Sequence, residues 1–120
     1  MKTLDRVLSV LLILGGIGHT AGTLIGYKDK PELMLWSLCT SLFVFLLGAV
    51  NFLRASRAGD RSLGWITVIF NLAWFVACLE FGHIIGKMGD FRVIGFSVIT
   101  LVLSGLSVRS MGARERSEIA

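Results

Sequence analysis

The sequence is poor in charge, in cysteine and in proline. Only 17% of its 120 residues are charged, whereas soluble domains carry about 25%. Its two cysteines, Cys39 and Cys78, both lie inside apolar runs, where free thiols usually act as small apolar side chains, so a disulfide framework is not implied. Its only proline, Pro31, marks the start of the second apolar run.

Several enzymatic and nucleic-acid-binding signatures are also missing. The sequence has no CxxC pair, no G-x-S-x-G nucleophile motif and no glycine-rich nucleotide loop after a strand. No polar segment between the apolar runs is long enough to house a soluble catalytic site. Although the net charge is +4, the basic residues form no face with interleaved aromatics. We therefore expect no nucleic-acid partner, and a non-enzymatic protein is favoured over an enzyme.

What the sequence has instead is four long apolar runs, at about residues 7–25, 33–53, 63–85 and 91–108. A helix needs roughly 20 apolar residues to cross a bilayer, and short linkers make consecutive helices antiparallel. The runs therefore predict an all-α, integral membrane four-helix bundle with up-down-up-down topology and a single domain. Residues 109–120 form a polar tail.

The first run also resembles a signal peptide, because Lys2 and Arg6 precede it. A small-residue A-x-A cleavage site is missing, and the run continues to Ile25. We therefore expect a retained helix.

Basic residues are distributed unevenly between the two predicted sides of the membrane. The N-terminus, second linker and tail carry eight Lys and Arg residues, and the first and third linkers carry four. Because basic residues are enriched in cytoplasmic segments, we expect an inner (plasma) membrane protein with both termini in the cytoplasm. The lipid bilayer is its first partner, and a homo-oligomer or another membrane protein is the second.

His19 is a polar residue in the outer half of the first run, beside glycines that recur every four residues. Gly18, Gly22 and Gly26 form a strip of the kind that lets another helix approach closely. His19 borders this strip, so we expect it to point into the bundle. Two interpretations remain open: a hydrogen bond across a helix interface, or a role in ligand binding or proton handling.

Glu80 and His83 lie three residues apart near the outer end of the third run, and so on one helix face. Glu-x-x-His is a metal-ligand spacing in helical carboxylate bundles, but those sites need two such motifs and further carboxylates. The pattern therefore predicts no metal site by itself, and a glutamate–histidine pair at the interface is the simpler interpretation. Glu80 is alternatively a proton-handling residue, together with His19 and His83 if the three converge.

Other polar residues follow helical stripes that are typical of helix packing in lipid. Asn51 and Asn71 are expected to join the second and third helices, and Ser37 and Thr40 to pack at the interface of the second. Trp74 lies in the middle of the third run, so it is either a packing residue or one wall of a ligand pocket.

The segment Leu14-Gly15-Gly16-Ile17-Gly18-His19-Thr20-Ala21-Gly22 and the four-span layout resemble uncharacterised small bacterial membrane proteins, broadly DoxX-like in size and layout. The resemblance implies a bacterial inner-membrane protein and assigns no catalytic residue. The size is also similar to that of small multidrug resistance transporters. Their signature glutamate lies in the first helix, whereas here that run has His19 and Glu80 lies in the third.

Three functions are consistent with these features. The first is a non-enzymatic protein that binds a small apolar ligand or cofactor of unknown identity, or serves as a membrane-complex subunit, through the outer half of the bundle. The second is a proton-coupled transporter that uses Glu80. The third is a membrane redox protein or enzyme in which His19 and His83 bind haem or a metal.

Overall fold

The computed structural model describes residues 2–113 and shows four helices joined by short loops. The helices are α1 (Lys2–Gly26), α2 (Pro31–Ser56), α3 (Arg61–Ile84) and α4 (Phe91–Met111). Within residues 2–113 all regular structure is helical, which confirms the predicted all-α fold class. Of the predicted polar tail, residues 114–120 lie outside the described residues.

The four helices form a rod of 59 × 23 × 21 Å. The α1–α2 and α3–α4 connections lie at one end, which we call the loop end. The start of α1, the α2–α3 connection and the end of α4 lie at the other, which we call the termini end. There the backbone N–H of Gly59 donates to the Ser110 carbonyl at 3.1 Å, which ties the α2–α3 connection to α4.

The bundle is built from two hairpins. Helix α1 packs closely along α2, and α3 along α4, while α1 and α3 lie diagonally opposite without close backbone contact. The α1–α2 approach depends on Gly48, since a Cβ there would lie 2.5 Å from Ile13 Cγ1 and 3.1 Å from the Ser9 carbonyl oxygen. The centre of the apolar core is a cluster of four fully or almost fully buried residues: Leu12, Val44, Leu47 and Leu103.

Local sequence explains where the later helices begin. Pro31 occupies the first turn of α2, where the missing N–H has no helical partner to lose. Asp60 caps α3 by accepting from the Leu63 N–H at 3.0 Å, and Asp90 caps α4 by accepting from the Arg92 N–H at 2.9 Å. Gly86 takes a positive φ of 68° in the turn after α3, a conformation that favours glycine.

Two helix boundaries differ from the predicted ones in an informative way. Helix α1 begins at Lys2 rather than near residue 7, and α2 continues through Arg54 to Ser56 rather than ending near residue 53. The predicted bounds stop where charged residues interrupt the apolar runs. In the structure Asp5 and Arg54 neutralise each other inside the bundle, so both helices continue past them.

All four helices are long and apolar enough to cross a membrane. Many large apolar side chains point outward, among them Ile25, Ile84 and Phe91, which are 76%, 75% and 82% exposed. An apolar surface of this extent is foreign to a monomer in water and suits contact with lipid. Cys78 is buried and Cys39 is exposed, and both thiols are free.

Candidate functional site

His19 contacts the neighbouring helix of its own hairpin. Its Nδ1 lies 2.8 Å from Ser41 Oγ of α2, at hydrogen-bond distance, and the imidazole is half-buried. This is the bond across a helix interface that one of the two interpretations of His19 required. A second contact joins the same helices one turn closer to the loop end, where Thr23 and Ser37 hydroxyls lie 2.6 Å apart.

Glu80 and His83 lie on the outside of the bundle. Both side chains are exposed. Glu80 follows the fully buried Asn71 by nine residues, which is about two and a half helical turns and therefore places it on the opposite face of α3. Within residues 2–113 no hydrogen bond or ion pair joins Glu80 to His83 or to another side chain.

The three candidate residues therefore do not converge within one chain. His19 bonds to α2, whereas Glu80 points away from the core of the bundle. In addition, α1 and α3 make no close backbone contact. Across the described residues no group of three or more His, Cys, Asp or Glu side chains is placed to hold a metal ion.

Trp74 lies in an aromatic layer in the middle of the bundle. Its ring centroid is 5.5 Å from that of Phe43 on α2 and 6.1 Å from that of Phe96 on α4. These contacts give Trp74 a packing role that joins three helices. Its buried indole Nε1 has no hydrogen-bond partner among the described residues.

Asn51 and Asn71 form the most symmetrical polar contact in the bundle. The Asn51 amide donates to Asn71 Oδ1 at 3.0 Å, and the Asn71 amide donates to Asn51 Oδ1 at 3.0 Å. Both residues are completely buried, so the two bonds join α2 to α3 in the absence of competing water. A hydroxyl contact of 2.9 Å between Thr67 and Ser107 joins α3 to α4 in the same way.

Thr40 does not contribute a contact of this kind. Its hydroxyl donates to the Trp36 carbonyl of its own helix at 3.2 Å. The prediction that Thr40 packs at a helix interface through its polar group therefore lacks a partner helix in the structure. Spacing alone cannot distinguish Thr40, which bonds within its own helix, from Ser37, which contacts α1, because both lie on the same stripe of α2.

The glycine strip of α1 is open. An added Cβ at Gly18, Gly22 or Gly26 would meet no atom within 4 Å. The glycines of α1 that do receive neighbours are Gly15 and Gly16, where an added Cβ would lie 2.6 Å from the Phe96 ring and 3.0 Å from the Phe45 ring, respectively. The strip thus does not admit another helix of this chain.

An ion pair at the termini end was missed by the sequence reasoning. Arg54 Nη1 donates to Asp5 Oδ2 at 2.9 Å, and Nη2 contacts Asp5 Oδ1 in a two-pronged arrangement. The Arg54 side chain has no exposure and that of Asp5 has 9%. The predicted second run ends at residue 53, before Arg54, and the acid that the sequence pattern places inside an apolar run is Glu80. Among the described residues, the buried acid is instead Asp5.

A signal for this pair is present in the sequence. Asp5, Ser9, Leu12 and Gly16 follow one another at three- and four-residue spacing, and all four are buried on one face of α1. Extending that face toward the N-terminus would have placed Asp5 inside the bundle.

A second ion pair lies at the loop end and is exposed. Asp90 accepts from the Nε and Nη2 atoms of Arg92 at 3.0 and 2.9 Å, as well as from its backbone N–H. These hydrogen bonds hold the pKa of Asp90 at about 2, below its usual value of 3.8. The Arg92 guanidinium also lies over the Phe81 ring, 5.4 Å from its centroid. The arrangement fixes the start of α4 against the end of α3.

An apolar groove separates α2 from α3 toward the middle of the bundle and opens to the surroundings. Its walls come from both helices and consist of Phe43, Leu46, Leu47, Val50, Ile66, Thr67 and Phe70. Its walls suit an acyl chain better than a polar ligand.

Comparison of the chain with protein-family models, with curated proteins and with solved structures gave no match.

Proposed function

We propose that this chain is a multi-pass protein of the inner (plasma) membrane and acts as a non-enzymatic subunit of a membrane assembly. The length and apolarity of its four helices support one crossing by each. The termini end faces the cytoplasm in this proposal. Even without Arg54, which Asp5 neutralises, the bias in Lys and Arg is seven to four.

The observation that carries the subunit role is the position of Glu80. A carboxylate on the outward face of a membrane helix is costly unless it has a hydrogen-bond donor or reaches water. Glu80 has no such donor within residues 2–113 and lies on the side of α3 opposite to Asn71. A neighbouring protein that supplies the donor gives this residue a function.

The polar groups inside the bundle support the same conclusion. Asp5 binds Arg54, Asn51 binds Asn71, and Thr67 binds Ser107. Because these groups bind one another across neighbouring helices, their role is to hold the four helices together. The outward surface of the loop-end half is then the part available for a partner.

The test is the mass of the particle extracted from its native membrane with an amphipathic polymer, without detergent. A subunit gives a protein mass above 13.1 kDa, the mass of one chain. Glu80→Ala should shift that mass toward the single chain. Glu32→Ala is the matched control, because Glu32 is an exposed acid at the loop end, in the first turn of α2. A wild-type particle containing one chain alone would rule out the subunit role.

Proton-coupled transport is a second candidate, because Glu80 is an exposed acid on a helix long enough to cross a membrane. Transport predicts that Glu80→Gln abolishes pH-driven uptake in proteoliposomes while the mass of the native particle is unchanged. A purely structural contact predicts the opposite pair of results.

A further inference from the structure

One face of α3 combines small side chains with an acid and an imidazole that have no hydrogen-bond partner within residues 2–113. The face consists of Ala73, Val76, Ala77, Glu80 and His83, all exposed, and we call it the α3 outer face. Ala73 and Ala77 lie four residues apart, a spacing that allows the backbone of a second helix to come close.

The two polar side chains on this face, Glu80 and His83, complement each other but do not bond to each other within residues 2–113. Glu80 offers an acceptor and His83 a donor, and no described residue hydrogen-bonds to either. They lie three residues apart, which is about 4.5 Å along the helix axis. An extended glutamate and an imidazole can bridge that offset between two neighbouring helices.

A second copy of the chain supplies both missing partners at the correct depth. The bias in basic residues gives every copy the same orientation, so a two-fold axis along the membrane normal brings equivalent residues to the same level. Such an interface is isologous, and each contact therefore occurs twice.

The open strip on α1 is a weaker candidate for this interface. Gly18, Gly22 and Gly26 leave room for a helix, but the adjoining histidine, His19, is already bonded to Ser41. Nothing on that strip calls for a donor or acceptor from a second chain.

We propose that two copies of this chain associate through the α3 outer face, with Glu80 of each copy bound to the partner subunit's His83. The inference rests on the proposed function and names the partner that the subunit role leaves open. The four-residue spacing of the alanines brings the two α3 helices together, and the two reciprocal bonds fix their relative depth.

Disulfide trapping in native membranes tests the geometry. In a Cys39→Ala, Cys78→Ala background, Val76→Cys should form dimers on oxidation because Val76 lies at the centre of the face. The control is Ala21→Cys, which is exposed on α1 at the loop-end half and should stay monomeric. Equal trapping at both positions, or trapping at Ala21→Cys alone, would overturn the proposal.

An exchange of the two side chains tests the chemistry. In the Val76→Cys background, Glu80→His alone places imidazole against imidazole and should weaken dimerisation about tenfold. Glu80→His combined with His83→Glu rebuilds both pairs and should restore trapping. If the single and double variants cross-link equally, the pairing is wrong.

The two proposals can fail separately. Native particles above the single-chain mass without trapping at Val76→Cys would leave the subunit role standing and reject the second copy as partner. Single-chain particles in native membranes would reject both.

Discussion

Asp5 and Arg54 form a buried two-pronged ion pair that joins the start of α1 to the end of α2, 49 residues apart in the chain. Asp5 is the fourth residue of its helix and Arg54 the third from the end of its own. An acid near a helix N-terminus and a base near a helix C-terminus are each favoured by the helix dipole. The pair therefore closes the α1–α2 hairpin with both charges in favourable positions.

Removing one member of this pair should be costly. Asp5→Asn leaves the Arg54 charge buried without a counter-ion, so we expect a loss of about 3 kcal/mol in the free energy of unfolding. The measurement is loss of helical circular dichroism during SDS titration of the purified protein. Arg57→Ala is the control, since Arg57 is exposed just beyond α2 and should unfold as the wild type does. If Asp5→Asn unfolds at the same SDS concentration as the wild type, the ion pair contributes little to stability.

The two asparagines should behave as a coupled unit. Asn51→Leu or Asn71→Leu leaves the other amide with unmet hydrogen bonds, and each should destabilise the bundle by about 1 kcal/mol. The double variant should cost less than the sum of the two, because the second substitution removes the stranded amide. Strict additivity in a double-mutant cycle would contradict the reciprocal bonding. Thr40→Val, which affects only a bond within α2, serves as the control.

Glycine substitutions separate close packing from open surface. Gly48→Ala places a methyl group against Ile13 and the Ser9 carbonyl oxygen, so we expect a loss of roughly 1–3 kcal/mol from overpacking. Gly22→Ala meets no neighbour within 4 Å and should leave the stability of the isolated chain unchanged or slightly higher, since alanine favours helix. Equal effects at the two positions would be inconsistent with a close α1–α2 contact at Gly48.

The loop-end ion pair predicts an acid-sensitive connection. The pKa of Asp90 is about 2 when folded and 3.8 in its ordinary state. Because the folded state lowers the pKa of this carboxyl, the ionised Asp90 stabilises the fold at pH values above about 3.8. That contribution is lost as the pH falls from about 3.8 through 2. Carbon-detected NMR of the Asp90 carboxyl should give a midpoint near 2, and Arg92→Gln should move it upward. An ordinary midpoint in the wild type would show that Arg92 does not hold the carboxylate.

The sequence predicted the number and order of the helices because crossing lipid requires long apolar segments, and these are visible without tertiary information. It also placed Asn51 and Asn71 at a helix contact, since both lie on stripes of small and polar residues. Helix ends were predicted less well. A charged residue at the edge of an apolar run predicts a helix end, but whether two such charges pair across the bundle depends on packing.

The candidate site could be predicted only in part for the same reason. Spacing put Glu80 and His83 on one face of α3, but it could not say which way that face points. The direction depends on which neighbours bury Asn71 and Gly82, and this requires the assembled bundle. His19 and Glu80 are predicted at the same membrane depth. Equal depth says nothing about the lateral distance between their helices, and α1 and α3 lie diagonally opposite, too far apart for the two residues to meet.

Cysteine labelling in intact cells tests the four-crossing topology most directly. In the Cys39→Ala, Cys78→Ala background, Lys28→Cys and Lys87→Cys should react with a membrane-impermeant maleimide from outside the cell. Ala58→Cys, exposed between α2 and α3, should react only after the membrane is permeabilised. Labelling of Ala58→Cys in intact cells, or of only one of the two lysine positions, would contradict the topology on which the proposed function depends.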